Sequence, residues 1–313
     1  MRRALPVVLI LLAACSRSKG SVESLPFGPA SDTGPDPTGL LDSADTGAFD
    51  TANTSDTCWL GVDRSWTTCV PTVPYDSSWG GDYAYPMPYG GSAQYAVPTR
   101  YVDLDALDEE LGFAPNFVVN EYMASYKGRY GILQDHMTGH LQDVRDTIDG
   151  PLTVNSGYRS PGYNASIGGV DYSRHIYGDA ADLQADGWSV EELGDICDGL
   201  GAGYVGLYED GHTHCDWRDD SLDAAFFASS RGAAPAPTAL IRVHLVQSAG
   251  LWTAQAAGFD EGEPLRRWTA RDAGGNVIDS ATGRQYRAPA GTSSLEVRVG
   301  GQVTETVSVA SLR

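Results

Sequence analysis

Two short segments rich in metal-ligating side chains constrain what this chain can fold into more than any other feature. Residues 173–182 read SRHIYGDAAD and residues 212–216 read HTHCD, so together they offer a histidine, an aspartate and a second histidine. Zinc held by three nitrogen or oxygen ligands keeps its fourth position for water, which is the arrangement of hydrolytic zinc. A structural zinc site normally uses four ligands, often cysteines, and this chain has no C-x-x-C pair. We therefore expect the two segments to form a catalytic zinc site.

A third motif, upstream of these two, extends the pattern. Residues 155–161 read NSGYRSP, and S-x-H-x-x-G-x-A-x-D and H-x-H-x-D follow in order. This series resembles the zinc D-alanyl-D-alanine peptidases, the VanX/VanY-like enzymes of the group that also holds lysostaphin-type and hedgehog-type domains. The resemblance covers roughly residues 101–231. It implies an α+β domain with a small antiparallel sheet and flanking helices, which hydrolyses D-Ala-type bonds of peptidoglycan stem peptides as a carboxypeptidase or an endopeptidase.

The resemblance also implies which residues hold zinc and which perform the chemistry. At positions that match the family pattern, His175, Asp182 and His214 are the expected zinc ligands. His212 lies beside a ligand without belonging to the set, so it is the candidate general base. Glu209 precedes His212 by three residues, and E-x-x-H in the VanX-like branch pairs a catalytic glutamate with a ligand histidine. Under that alternative, Glu209 is the base and His212 binds zinc.

Several neighbouring residues are expected to contact the substrate or the ligands. Arg159, with Tyr158, is expected to meet the substrate, because a guanidinium offers a planar fork for a carboxylate and D-Ala-D-Ala stems end in one. The alternative is that Arg159 forms a surface salt bridge. Ser173 is expected to hold the substrate or to support the site, and Asp216 is expected to orient a histidine.

The beginning of the chain predicts export and lipid anchoring. Residues 1–14 combine Arg2-Arg3 with an apolar run of about ten residues, too short for a membrane span of roughly 20. The segment ends in Leu-Ala-Ala before Cys15, which resembles a bacterial lipobox with Cys15 as the lipidated residue; an ordinary signal peptide is the alternative. Because Ser16 follows, we expect an outer-membrane lipoprotein of the cell envelope, facing the periplasm or the cell surface, which contacts the membrane only through its lipid.

Composition divides the region before the peptidase domain into two parts. Residues 15–57 are rich in Asp, Thr, Pro and Gly, and predict a disordered tether. Residues 58–100 are rich in Trp and Tyr, and predict either a sugar-stacking surface or an irregular extension packed on the peptidase domain, which is the interpretation we favour. The net charge of −20, with 41 acidic and 21 basic residues, argues against nucleic acid and anionic membranes as partners.

Four cysteines remain once the lipobox cysteine is set aside, and disulfides persist in exported proteins. Cys58 and Cys69 are close in sequence and could bracket a small loop. Cys197 and Cys215 would then tie a helix to the strand that carries the second ligand histidine. The sequence alone allows three pairings.

Helix and strand signals define the remaining elements. Helices are predicted over 105–111 and 130–148, and a third follows Ser189, where a capping box begins. Residues 203–208 and 212–217 predict antiparallel strands.

The end of the chain predicts a separate domain. The peptidase domain is expected over 101–232, and residues 233–237 form a Pro/Ala-rich linker. Short alternating strands over 238–313 predict a small all-β, sandwich-like domain without a catalytic motif. Wall binding, partner binding and plain spacing are all open as its role. A non-catalytic, zinc-stabilised peptidoglycan-binding or adhesive lipoprotein is therefore the alternative to an enzyme.

Overall fold

The computed structural model describes residues 55–228, 241–260 and 262–309. The predicted signal peptide, Cys15, nearly all of the predicted tether and the 233–237 linker lie outside these residues. The described residues form one compact unit. Among them, no helix has both the length and the apolar character that crossing a bilayer requires.

Short strands and helices alternate between residues 55 and 228. The strands are β1 Asp56–Trp59, β2 Thr68–Pro71, β3 Val73–Pro74, β4 Arg100–Asp103, β5 Gly112–Ala114, β6 Phe117–Val118, β7 Tyr130–Gly131, β8 Thr153–Ser156, β9 Ala180–Gln184, β10 Tyr204–Leu207 and β11 Thr213–Asp216. The α-helices are α1 Val119–Tyr122, α2 Asp135–Ile148, α3 Pro161–Ser166 and α4 Val190–Gly199. The 3₁₀ helices are Ser77–Tyr83, Tyr89–Gly91, Ala93–Tyr95, Leu104–Ala106, Ser125–Lys127 and Arg174–Tyr177.

The sheet that organises this region has the strand order β10-β11-β9-β8, and all its pairs are antiparallel. The α+β prediction and the predicted strand pair over 203–208 and 212–217 are therefore confirmed. Helix α4 begins where predicted: Ser189 Oγ accepts the Glu192 amide at 3.3 Å, and the Glu192 carboxylate accepts the Ser189 amide at 2.9 Å. This reciprocal cap satisfies amides that the first helical turn leaves without a partner.

Two predicted helices differ from the structure. The helix predicted over 130–148 begins only at Asp135, because Tyr130 and Gly131 pair with β4 as a strand. The helix predicted over 105–111 is wrong, since only the 3₁₀ turn Leu104–Ala106 forms there. The carbonyl of Leu111 accepts the Val119 amide at 2.9 Å, and the carbonyl of Glu109 accepts the Asn120 amide. These long-range pairings replace the local hydrogen bonds of a helix.

Most aromatic side chains of residues 58–100 pack into the same core as the sheet, whereas Trp66 and Tyr75 are exposed. Trp59 and Tyr95 are fully buried in this core. The rings of Trp79 and Tyr130 stack with their centroids 3.5 Å apart. The packing interpretation is confirmed for these side chains, because rings buried against the peptidase domain are not exposed for stacking on sugars.

Residues 241–309 form the expected all-β, sandwich-like region. Its strands are β12 Arg242–Ser248, β13 Leu251–Ala257, β14 Arg266–Arg271, β15 Val277–Thr282, β16 Gln285–Tyr286, β17 Ser294–Val299 and β18 Val303–Ser308. They form a three-stranded sheet, β12-β13-β16, and a four-stranded sheet, β15-β14-β17-β18. Trp252, Trp268 and Leu295 are buried in a separate core. A turn at Gly300 and Gly301 joins β17 to β18, with positive φ at both residues, as a tight hairpin requires.

The β region packs against one edge of the four-stranded sheet β10-β11-β9-β8, at strand β10. The Leu207 amide donates to Gly300 O at 3.1 Å, and Leu207 O accepts the Leu265 amide at 2.8 Å. The Glu209 amide donates to Glu263 O at 2.9 Å. An edge strand leaves backbone groups without partners, and here the β region satisfies them. The segment between β13 and β14 is therefore held beside the strands that carry the site.

Both disulfides suggested by the sequence are present. Cys58 pairs directly with Cys69 across β1 and β2. Cys197 in α4 is bonded to Cys215 in β11, the strand that carries His214. The second bridge therefore fixes the strand of a proposed ligand to the helix behind it.

Removing the second bridge is expected to weaken both the fold and the metal site. The double variant Cys197→Ala/Cys215→Ala should lose about 2–4 kcal/mol of unfolding free energy, because the unfolded chain gains freedom. It should also bind zinc less tightly, since β11 is less firmly placed. Guanidinium unfolding and zinc titration measure the two effects. Cys58→Ala/Cys69→Ala is the matched control and should lose stability with unchanged zinc affinity; equal zinc affinity in both double variants would contradict the expectation.

Candidate metal centre

Three buried side chains converge where the sheet meets the 3₁₀ helix Arg174–Tyr177. His214 and Asp182 are directly paired residues of β11 and β9, so their side chains leave the sheet together. His175 lies in the 3₁₀ helix, which ends at Gly178 with φ 76°. A Cβ on Gly178 would lie 2.4 Å from Ile132 O, so only glycine can make this turn into β9. His175, Asp182 and His214 are the only candidate metal-binding group in the described part of the chain.

In each of the two histidines, the ring nitrogen that faces away from the other ligands (the outer nitrogen) donates a hydrogen bond, and the other ring nitrogen is the inner one. His175 Nδ1 lies 2.7 Å from the carbonyl oxygen of Gly157, which can only accept. His214 Nε2 lies 3.2 Å from Asp216 Oδ2, and Arg218 Nε donates to Asp216 Oδ1 at 2.6 Å. The Arg218 guanidinium holds the pKa of Asp216 below its usual value although burial opposes it, so this carboxylate accepts. The prediction that Asp216 orients a histidine is confirmed, and the other ring nitrogen of each histidine faces the centre of the site.

The inner atoms form a small triangle that fits a tetrahedral metal ion. His175 Nε2 lies 3.0 Å from His214 Nδ1 and 3.2 Å from Asp182 Oδ1, and the remaining side measures 3.1 Å. Tetrahedral zinc at its usual ligand distances places ligand atoms about 3.3 Å apart. Three lone-pair atoms this close together, buried from water, need a shared cation. The residues present therefore fit zinc, with one position left for water.

The charges of the three ligands follow from their contacts. Burial alone would raise the pKa of Asp182, but His175, His214 and Arg159 hold it well below its usual value. Burial and the Arg159 guanidinium lower the pKa of His175, which favours the neutral ligand form. Burial also acts to lower the pKa of His214, but its bonds to Asp182 and Asp216 outweigh this and raise the pKa to about 9. In the metal-free protein a proton on His214 therefore takes the place of the metal.

His212 has the geometry of a base beside the metal. Its Nδ1 lies 2.6 Å from Asp210 Oδ1, so the carboxylate holds the proton on that nitrogen. Its Nε2 is buried, has no hydrogen-bond partner among the described residues, and lies 3.8 Å from Asp182 Oδ1. The ring stacks on Tyr208 with centroids 4.3 Å apart. The lone pair of Nε2 is thus held in place without a partner, next to the ligands.

Glu209 lies in a different environment. Its carboxylate accepts a hydrogen bond from Arg266 Nη1 of the β region at 3.3 Å. It does not belong to the converging group, and neither does His212. The alternative that makes Glu209 the base and His212 a ligand gains no support from this arrangement.

Arg159 points into the site and Tyr158 does not. Arg159 is fully buried and forms an ion pair with Asp182, so the surface salt-bridge interpretation of this arginine is wrong. Tyr158 is 1% exposed, and its hydroxyl lies 3.5 Å from that of Tyr85 in the aromatic core. The expectation that Tyr158 meets the substrate is therefore corrected: its side chain packs in the aromatic core, whereas that of Arg159 contacts Asp182.

Two residues near the site were not predicted from the sequence. Asp210 orients His212, and an acidic residue two positions before a candidate base was the available signal. Asp260 comes from the segment between β13 and β14, and its carboxylate accepts a hydrogen bond from Ser173 Oγ. Ser173 thus binds a carboxylate of the protein itself, and its expected role toward the substrate stays a prediction. No local motif marks Asp260, because it lies 87 residues from Ser173 in the sequence.

Zinc binding is expected to release a proton from His214. Because its pKa in the metal-free protein is about 9, His214 is protonated at pH 7 and must lose that proton before Nδ1 can bind zinc. Zinc affinity should therefore rise at least about tenfold per pH unit between pH 6 and 8, and less steeply above pH 9, where His214 no longer has a proton to lose.

Calorimetry in buffers of different ionisation enthalpy counts the released protons. We expect about one proton per zinc from His214 at pH 7 and none from it well above pH 9, in addition to the proton that the zinc-bound water loses. His212→Ala should give the same count, since His212 is not a ligand. Zinc binding at pH 7 without proton release would contradict this account of His214.

Comparison with known proteins supports the site. Residues 115–216 match the model of the Peptidase M15 family, and this stretch contains His175, Asp182, His214, His212 and Arg159. The zinc D-Ala-D-Ala carboxypeptidase of Streptomyces albus G is 41% identical to this chain over 81 residues. The match covers 24% of this chain and 31% of that protein, so the chain spans about a third of the length of this curated relative.

The family match and the converging His-Asp-His group fall on the same part of the chain. They bear out the resemblance drawn from the three sequence motifs. Residues 115–216 are thus a Peptidase M15 domain, the domain of the zinc D-Ala-D-Ala peptidase family.

Proposed function

We propose that this protein is a zinc-dependent peptidase that hydrolyses D-Ala-type bonds in the stem peptides of peptidoglycan. The observation that carries the proposal is the pairing of a three-ligand metal site with a buried histidine nitrogen aimed at it. A structural metal site would have no use for such a nitrogen, because leaving a buried polar atom without a partner costs free energy. The relative from Streptomyces albus G is named as a zinc D-Ala-D-Ala carboxypeptidase, which supports the substrate class.

Peptide hydrolysis requires proton transfers that His212 is placed to perform. One proton must leave the attacking water, and one must reach the departing amine. A bound zinc ion supplies Lewis-acid polarisation and lowers the pKa of water at its open position. His212 Nε2 accepts a proton on the side of the site that faces Asp182, while Asp210 stabilises the imidazolium that forms. The stacked Tyr208 ring keeps the imidazole in one orientation.

We also propose that the protein works in the cell envelope, anchored through Cys15. Two disulfides fit an exported protein, because such bonds persist in oxidising compartments. The acidic net charge of −20 fits a partner other than nucleic acid. Radiolabelled-palmitate incorporation that disappears in Cys15→Ser would support the anchor, and unchanged labelling would reject it.

Replacing the two candidate bases separates the two catalytic assignments. If His212 is the base, His212→Ala should keep its zinc and lose about 10²–10⁴-fold in kcat, the usual contribution of a positioned acid–base group. Glu209→Ala should be much milder, because it loses only the contact with Arg266. Zinc content and the products released from purified peptidoglycan, identified by mass spectrometry, provide the readouts.

The matched control is His244→Ala, which removes an exposed histidine on β12, outside the site. It should retain both zinc and activity. If Glu209→Ala keeps zinc and abolishes activity while His212→Ala loses the metal, the alternative assignment holds. Full activity with zinc retained in both variants would refute both assignments.

A further inference from the structure

Arg159 and Ser173, which were expected to bind the substrate, are already in contact with a carboxylate of the protein itself, that of Asp260. Asp260 Oδ2 accepts a hydrogen bond from Ser173 Oγ, and Asp260 Oδ1 lies 3.4 Å from the Val170 amide and 3.8 Å from Arg159 Nη1. The Asp260 side chain is only 9% exposed. A hydroxyl, a backbone amide and a guanidinium together form a typical carboxylate site. We call Arg159 and Ser173 the carboxylate clamp. In the folded chain this clamp therefore already holds a carboxylate, that of Asp260.

The docking of the β region holds Asp260 in this position. The segment that carries it leads into Glu263 and Leu265, whose backbone oxygen and amide pair with the edge of the peptidase sheet. Gly262 lies against the site with φ 93°, and a Cβ there would lie 3.9 Å from His212 Cε1. Asp260 is thus anchored from both sides, by its own hydrogen bonds and by the backbone pairing that follows it.

Two cavities adjoin this segment and the metal centre. A cavity of about 350 Å³ is lined by Asp182, His212 and Gly262. Another, of about 450 Å³, is lined by Ser173, His214 and Asp260. The space next to Asp260 is therefore not closed. A site that accepted only a free carboxyl end would need the space next to its clamp to be closed.

We propose that Asp260 is a specificity-determining residue that fills the carboxylate clamp and directs the enzyme to internal peptide bonds. The proposal rests on the proposed peptidase function. A stem with a free terminal carboxylate next to the scissile bond would place a second anion beside Asp260, and like charges in a buried site repel each other. A stem that continues past the bond, as in a cross-link, carries no such charge. The activity expected is that of an endopeptidase.

The test compares two substrates that differ in one charge. One is an acyl-D-Ala-D-Ala stem peptide with a free carboxylate, and the other is the same peptide with a C-terminal amide. The wild-type protein should prefer the amide. Asp260→Asn keeps the size of the side chain and removes its charge, so the ratio of kcat/KM for the carboxylate to that for the amide should rise at least about tenfold.

The ratio of kcat/KM for the carboxylate peptide to that for the amide peptide also serves for the control variant and for the outcomes that would contradict the proposal. Glu263→Gln removes one negative charge from the same segment, outside the clamp, and should leave the ratio unchanged. An unchanged ratio in Asp260→Asn would overturn the proposal. Equal gains for both peptides would also overturn it, since Asp260 would then block the site without selecting a substrate. Zinc content and thermal unfolding show whether each variant is folded.

A binding experiment separates this inference from the proposed function. In zinc-loaded His212→Ala, calorimetry measures the affinity for the two peptides without requiring turnover. Adding Asp260→Asn should tighten binding of the carboxylate peptide at least about tenfold and leave the amide peptide unchanged. If wild type cleaves neither peptide but this selective gain appears, the proposed function fails and the role of Asp260 stands. If cleavage occurs without the gain, the role of Asp260 is rejected.

Discussion

The convergence of three lone pairs in a buried space is the interaction on which the rest of the site depends. His175, Asp182 and His214 place their inner atoms 3.0–3.2 Å apart. Without a cation such an arrangement is unfavourable, because acceptors face each other away from water. Neighbouring groups nevertheless keep the two histidines in this orientation: the Gly157 carbonyl accepts a hydrogen bond from His175 Nδ1, and Asp216 accepts one from His214 Nε2. The fit to a metal ion and the raised pKa of His214 both follow from this geometry.

The second constraint is the edge of the peptidase sheet. Strand β10 ends its sheet, and an edge left open would have backbone groups without partners. The β region covers this edge and, in doing so, carries Asp260 into the clamp formed by Ser173 and Arg159. A region that contains no catalytic motif of its own therefore supplies a carboxylate to the site.

The sequence predicted those features that depend on local spacing. The strand pair over 203–208 and 212–217 was predicted from the sequence, and Ser189 predicted a capped helix. The prediction of a helix over 105–111 was wrong because backbone pairing with distant residues replaced local hydrogen bonds. Tyr158 was misassigned because the sequence does not show which of two neighbouring side chains packs into the core. Asp260 could not be found, since its contact with Ser173 joins residues 87 positions apart in the sequence.

X-ray absorption at the zinc edge tests the central claim most directly. Zinc-loaded protein should show two imidazole nitrogens and one carboxylate oxygen at about 2.0–2.2 Å, together with one light atom from solvent. Replacing His175 with alanine should remove one imidazole from this set. A sulfur neighbour at about 2.3 Å, or two imidazoles still present after that replacement, would contradict the assignment of His175, Asp182 and His214 as the metal centre.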